Sequence, residues 1–240
     1  MKGFGTHRHH PTSLVTPPVA KSNLTARMSR FTTFFFDLDG TLIDHFAAIH
    51  RAHAHTMTQL GLRPPTLAQV RQAVGGGLEL AISRLAGPDH VAAALPIYRA
   101  YWDATMLDDV TLLPGALQVV TTLQARGAKL AVLTNKLGTS SRLICDHLGL
   151  TPFLHGIFGA MDTPWLKPAA EYAAYALDQI GAAPATALMV GDSPYDVQGA
   201  HNGGFPCWVV TTGTHNASEL RAAEADAVFT DLFALAAALD

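Results

Sequence analysis

An apolar run that stops on two carboxylates constrains this chain more than any other feature. Phe34-Phe35-Phe36 leads into Asp37-Leu38-Asp39-Gly40-Thr41-Leu42. A short run of β-favouring residues bounded by Gly reads as a buried strand. Side chains alternate along a strand, so Asp37 and Asp39 share a face. Gly40 allows the chain a sharp exit. Carboxylates at the C-terminal tip of such a strand lie where open α/β sheets bind ligands.

The rest of the chain divides by pattern. From Asp44 to about Asp108 it reads as helices with no strand: His45 to Leu60, a helix opened by Thr66 as N-cap, one carrying Leu78, Ile82 and Leu85 on a face, and one running from beyond Gly87-Pro88 to about Met106. From Leu112 strands and helices alternate. Strands are expected at 129–133, 156–158, 185–190, 206–210 and 228–229, with helices at 114–125, 136–148 and 168–180, another after Ser193, one at 216–223 and one closing the chain. Repeated β-α units predict an α/β fold, a doubly wound, Rossmann-like parallel sheet covered by helices. The expected organisation is a core of residues 31–44 plus 109–240, interrupted by an α-helical cap of residues 45–108. Residues 1–30 lack apolar periodicity and hold no acidic residue. They read as a disordered tail or an over-long start, with an organelle transit peptide and a His-patch metal site as weaker alternatives.

Three strand ends carry polar residues: Asp37 and Asp39, Thr134 and Asn135, and Asp192 with Asp196. Lys167-Pro168 opens a helix between the last two. In a parallel sheet these ends lie on one edge, so the groups can converge. The net charge of −3 argues against nucleic-acid or anionic-membrane partners. No apolar run approaches the length of a membrane span. The two cysteines, Cys145 and Cys207, have no metal-ligand spacing and read as free thiols in a reducing, cytoplasmic setting.

In order and spacing, Asp37-Leu38-Asp39-Gly40-Thr41, Leu133-Thr134-Asn135-Lys136, Lys167-Pro168 and Gly191-Asp192-Ser193-Pro194-Tyr195-Asp196 resemble the four motifs of the haloacid dehalogenase superfamily, in its phosphoglycolate phosphatase-like branch. The resemblance runs from about Phe31 to the C-terminus. It implies a phosphatase acting on a small phosphorylated metabolite, phosphoglycolate or similar, as a monomer or homodimer. By the resemblance Asp37 is the nucleophile that forms an aspartyl-phosphate. Asp39 protonates the leaving alkoxide and then deprotonates water. Thr134 and the backbone of Asn135 bind the phosphoryl group, and Lys167 neutralises developing charge.

Carboxylates and a phosphate dianion gathered together repel: two like charges at roughly 4 Å cost about 4 kcal/mol at an effective dielectric near 20. Mg²⁺, a hard cation with oxygen ligands, resolves this. The resemblance assigns its ligands as the Asp37 carboxylate, the Asp39 backbone carbonyl and the Asp192 carboxylate. Asp196 and Thr41 act in support, although Asp196 also reads as an ordinary acid in a helix first turn. In the cap, Gly75-Gly76-Gly77 reads either as a loop dipping towards the site or as a simple turn. Arg71 reads either as a substrate-carboxylate partner or as a surface residue, and Asp44, His45 and His50 as hinge or pocket residues.

His45 stands where phosphoglycolate phosphatases commonly have a small hydroxyl residue, and Ala169-Ala170 lacks a usual proline. His201-Asn202-Gly203-Gly204 replaces an alanine-rich segment. The presence of Asp39 separates the chain from dehalogenases and transport ATPases. The absence of lysine between Asp44 and Gly127 separates it from phosphonoacetaldehyde hydrolases. A sugar phosphomutase or pyrophosphatase of the same superfamily, and a catalytically silent binding protein on this fold, are the alternatives. A serine esterase built on Gly191-Asp192-Ser193 is excluded by the lack of any Asp-x-x-His.

Overall fold

The computed structural model describes residues 30–239. The tail expectation therefore falls, apart from Arg30, outside the described residues. In chain order the elements are strands β1 (Thr33–Phe36) and β2 (Ile43–Asp44), then helices α1 (Phe46–Gln59), α2 (Leu67–Ala73), α3 (Leu78–Ala86) and α4 (Val91–Thr105), then β3 (Thr111–Leu112). After these come α5 (Ala116–Ala125), β4 (Lys129–Leu137), α6 (Gly138–His147), β5 (Gly156–Ala160), α7 (Ala170–Gln179), β6 (Ala187–Gly191), α8 (Pro194–Asn202), β7 (Cys207–Val210), α9 (Ala217–Ala222), β8 (Ala227–Phe229) and α10 (Leu232–Leu239).

The main sheet has the order β5-β4-β1-β6-β7-β8 and pairs in parallel throughout. The chain winds outward from β1 through β4 to β5, then returns to the other side of β1 for β6 to β8. That reversal beside the first strand opens the crevice in which doubly wound sheets bind ligands. Both faces of β1 are covered. Phe34 and Phe36 pack with Leu130, Val132 and Val190 and with Val119 of α5, while Phe35 packs with Leu133, Met189, Tyr172 of α7 and Val197 of α8. Burial on both faces is why the strand reads as a continuous apolar run rather than an alternating one.

Two features depart from the expected elements. A two-stranded antiparallel pair, Ile43 with Leu112 and Asp44 with Thr111, carries the chain out of the sheet and back. Strands of two residues are too short to leave a period. In addition, β4 does not stop before Thr134 but runs on to Leu137, with a register shift against β5 between Leu133 and Leu137. The irregularity puts Thr134, Asn135 and Lys136 on the sheet edge beside β1.

Helices α1 to α4 stand between β2 and β3. Helices α1 and α4 meet through ring pairs: His45 with Trp102, His53 with Tyr98, and His55 with Tyr101. Helix α2 starts in a capping box, in which Thr66 and Gln69 satisfy each other's backbone N–H groups. Hydrogen bonds join these helices and their loops to the sheet side. Trp102 Nε1 donates to Ser140 Oγ at 3.1 Å, Arg84 Nη2 to Tyr195 Oη at 3.0 Å, and Asn135 Nδ2 to the Gly75 carbonyl at 3.0 Å.

Candidate active site

The tip of β1 is pinned by its neighbours: Asp37 N–H donates to the Val190 carbonyl of β6 at 2.9 Å. From that tip Asp37 projects into a buried cluster. Lys167 Nζ donates to Asp37 Oδ1 at 2.8 Å, to Asp196 Oδ1 at 2.6 Å and to the Leu133 carbonyl at 2.8 Å. An ammonium has three protons, and each has an acceptor here. Burial pulls the Lys167 pKa down, but Asp196 and Asp37 outweigh it, so the group stays charged. Asp196 Oδ2 accepts from the backbone N–H groups of Asp192 and Ser193 and from Ser193 Oγ. Both oxygens of Asp196 are thus engaged in holding the loop between β6 and α8 and the lysine.

Asp192, 2% exposed, lies in the same cluster. Its Oδ1 accepts from Thr41 Oγ1 at 3.3 Å and its Oδ2 from the Thr214 N–H at 2.9 Å. Gly40 and Gly213 allow this approach: a Cβ on Gly213 would sit 1.8 Å from Asp192 Oδ2, and one on Gly40 only 2.6 Å from the Gly213 Cα. Ligand atoms of Asp37, Asp192 and Asp196 lie within 4.8 Å of one another.

Three carboxylates against one ammonium leave an excess of negative charge. Burial pushes Asp37 up to about 6, with Asp196 adding to the rise and Lys167 opposing it. Burial, Asp196 and Asp37 together push Asp192 well above the usual carboxylate range. A hard divalent cation fits this donor set, which is all oxygen and short of positive charge. Asp37, Asp192 and Asp196 are the side chains whose oxygens lie close enough together to hold it.

Asp39 stands apart from the cluster. Lys136 Nζ donates to its two carboxylate oxygens at 2.8 and 3.1 Å and lies 4.5 Å from the centre of the Trp102 ring. Burial pushes Asp39 up, but Lys136 and His45 outweigh it and hold the carboxyl below its usual range. His45 is buried, with Nδ1 3.6 Å from Asp39 Oδ1 and Nε2 donating to the Met106 carbonyl at 2.6 Å. Burial, followed by Lys136, pushes the His45 pKa down, while Asp39 and the Met106 carbonyl pull it up.

The other sequence candidates fall into two groups. Thr134 and Asn135 are buried at the site. The Asn135 side chain binds Lys167 backbone on both sides, accepting its N–H at 2.8 Å and donating to its carbonyl at 3.0 Å. It therefore positions the lysine, while Thr134 Oγ1 accepts the Lys136 N–H at 3.2 Å. Gly75, Gly76 and Gly77 line the cleft above, so the triplet reaches the site. Arg71 does not line that cleft: its guanidinium lies 4.0 Å from the Phe46 ring centre and donates to the Gly213 carbonyl. Asp44 accepts from the Phe46 N–H, and His50 bonds the Pro65 carbonyl.

Sequence reasoning overlooked Lys136 as a partner of Asp39, and it overlooked Gly213 and Thr214. The signal for the latter was available. Thr211-Thr212-Gly213-Thr214 follows the apolar run of β7, making it a fourth polar strand end on the same edge.

Residues 34–210 match the family model described as haloacid dehalogenase-like hydrolase. A phosphoglycolate phosphatase of Caulobacter vibrioides is 34% identical over 188 residues, 75% of this chain and 79% of that protein. A 5'-nucleotidase of Pseudomonas aeruginosa is 30% identical over 213 residues, 88% of this chain and 96% of that protein. A haloacid dehalogenase-like family hydrolase from Streptococcus pneumoniae has a solved structure that superposes with a TM-score of 0.81 at 27% identity, covering 88% of this chain and all (100%) of that one.

Proposed function

The chain belongs to the haloacid dehalogenase-like hydrolase family, in its phosphoglycolate phosphatase-like branch, and from that premise we propose that this phosphatase hydrolyses a small phosphomonoester through an aspartyl-phosphate on Asp37, with Mg²⁺ as cofactor. The observation that carries this reading is the buried Lys167 bridging Asp37 and Asp196 at the tip of the central strand, with Asp192 beside them.

The reaction divides into two displacements. In the first, a carboxylate oxygen of Asp37 bonds to phosphorus, the ester P–O bond breaks, and Asp39 gives its proton to the departing alkoxide. In the second, Asp39 takes a proton from water, the water oxygen bonds to phosphorus, and the bond to Asp37 breaks to release phosphate. The pair with Lys136 favours ionised Asp39, the form needed as base in the second displacement. The dianionic phosphoryl group entering beside Asp39 favours its protonation for the first. Lys167 offsets charge on the transferring group, and the Thr134 hydroxyl with the Asn135 N–H binds its oxygens.

The Asp37 and Asp192 carboxylates and the Asp39 backbone carbonyl would hold Mg²⁺. When bound, it supplies positive charge for the phosphate dianion and the developing charge. Residues 45–108 act as a cap that closes over the substrate and excludes water. Two buried free thiols, Cys145 and Cys207, support a reducing compartment, the cytoplasm. Among the described residues, no helix is long and apolar enough to cross a membrane.

The test is phosphate release from p-nitrophenyl phosphate with magnesium present. Wild type should turn over, and Asp37→Asn should lose at least about a thousandfold in kcat, the scale seen when a nucleophile is removed. Equal rates would remove Asp37 from the chemistry.

A further inference from the structure

The cleft above Asp37 and Asp39 encloses about 710 Å³. That size lies within the range of sites that take drug-sized ligands. Phosphoglycolate, at roughly 30 Å³ per heavy atom, would fill less than half of it. Beyond the phosphoryl end the wall is built from Leu78, Leu80 and Val91 of the helical segment and from Met161, Pro164 and Leu166 opposite.

The charged residues that line the cleft give an anionic leaving group no net attraction. Among the described residues, its lining cations are Lys136, already paired with Asp39, and the exposed Arg99. Glu79, exposed like Arg99, lines the same cleft and offsets that cation. His53 is a buried polar side chain of the insert wall, and its Nδ1 has no hydrogen-bond partner. Burial pushes its pKa down to about 4, so it meets a ligand as a neutral ring.

Met161 gives an independent sign. It is 75% exposed and sits at φ 73°, a left-handed backbone that a non-glycine residue adopts at a cost. Leu80, across the cleft, is 38% exposed. Both line the same cleft, so each offers an exposed apolar surface to whatever enters it.

We propose that the leaving alcohol of the substrate is uncharged and largely apolar, an arylalkyl group of the benzyl type, and that Leu80 and Met161 select it. This rests on the phosphatase reading above and narrows it, setting phosphoglycolate aside as the preferred ester.

The experiment measures kcat/KM of the full chain, magnesium-replete, for benzyl phosphate and phosphoglycolate. Both are primary alkyl monoesters, so intrinsic reactivity does not decide the ratio. Benzyl phosphate should be preferred at least tenfold; a ratio of one, or a preference for phosphoglycolate, overturns the proposal. Leu80→Lys and Met161→Lys place a cation on the wall at exposed positions, clear of the core. Each should move the ratio at least tenfold towards phosphoglycolate, and an unmoved ratio denies those side chains the selecting role. If Asp37-dependent release from p-nitrophenyl phosphate is seen while phosphoglycolate is preferred, only this inference fails. If no ester is hydrolysed, the phosphatase reading fails and takes the inference with it.

Discussion

The two walls of the cleft are built on opposite principles. On the sheet side nearly every polar atom has a partner: Lys167 uses three protons, Asp196 both oxygens and Asn135 its whole side-chain amide. The helical side presents aliphatic and aromatic groups, a glycine triplet, a neutral buried histidine and two exposed charges, Glu79 and Arg99. Groups that handle charge must be pre-organised, because reorienting them during the reaction costs energy. Groups that receive a leaving alcohol need only shape and dryness. The sheet wall should therefore tolerate no substitution, while the helical wall should tolerate many with a change of preference rather than a loss of rate.

Lys167→Ala tests the first half most severely. It leaves Asp37 and Asp196 buried without their shared counter-charge. Removing one partner of a buried ion pair costs about 3–5 kcal/mol of stability. The rate should fall by at least about a hundredfold, as when a donor to developing charge is deleted. Near-normal turnover would show that the sheet wall is not a tightly coupled unit. Gly213→Ala should come next. Its Cβ would land on Asp192 Oδ2, so the loop or the carboxylate must move. Overpacking of this kind costs about 1–3 kcal/mol. The magnesium concentration for half-maximal activity should rise several-fold, and an unchanged value would separate Asp192 from the metal.

On the helical wall the expected effect is on stability rather than rate. His53 has a folded pKa of about 4 against an ordinary 6.5. Between those pH values the unfolded chain binds more protons than the folded one, so stability rises with pH across the window. It is complete above pH 6.5 and falls on acidification towards pH 4, by at most about 3 kcal/mol. Denaturant melts across this range, with His53→Leu as the control, should show the slope shrinking in the variant. An identical slope would mean that His53 charges freely in the folded protein.

The same contrast explains what could be read without coordinates. Asp37 and Asp192 directly follow β1 and β6, where pattern and position coincide. Thr66 is an N-cap with a local partner three residues on, and it reads correctly for that reason. Lys136 was visible as a residue but not as a partner, because Asp39 lies 97 positions away in sequence. The same holds for Thr214, which reaches Asp192 only because β6 and β7 are neighbours. Arg71 carried two readings, a substrate-carboxylate partner or a surface residue, and the fold lays it over Phe46. The cleft's apolar character could not be read at all. Leu80 and Met161 look like ordinary core residues until the fold leaves them facing solvent.

The central claim is that Asp37 carries the phosphoryl group between the two displacements. A rapid acid quench with a phosphate ester labelled at phosphorus tests it directly. Label should appear on the wild-type chain within the first turnover, map to the peptide containing Asp37, and be released by hydroxylamine. Phosphate released at the full rate with no label on the chain, and released equally by Asp37→Asn, would contradict it.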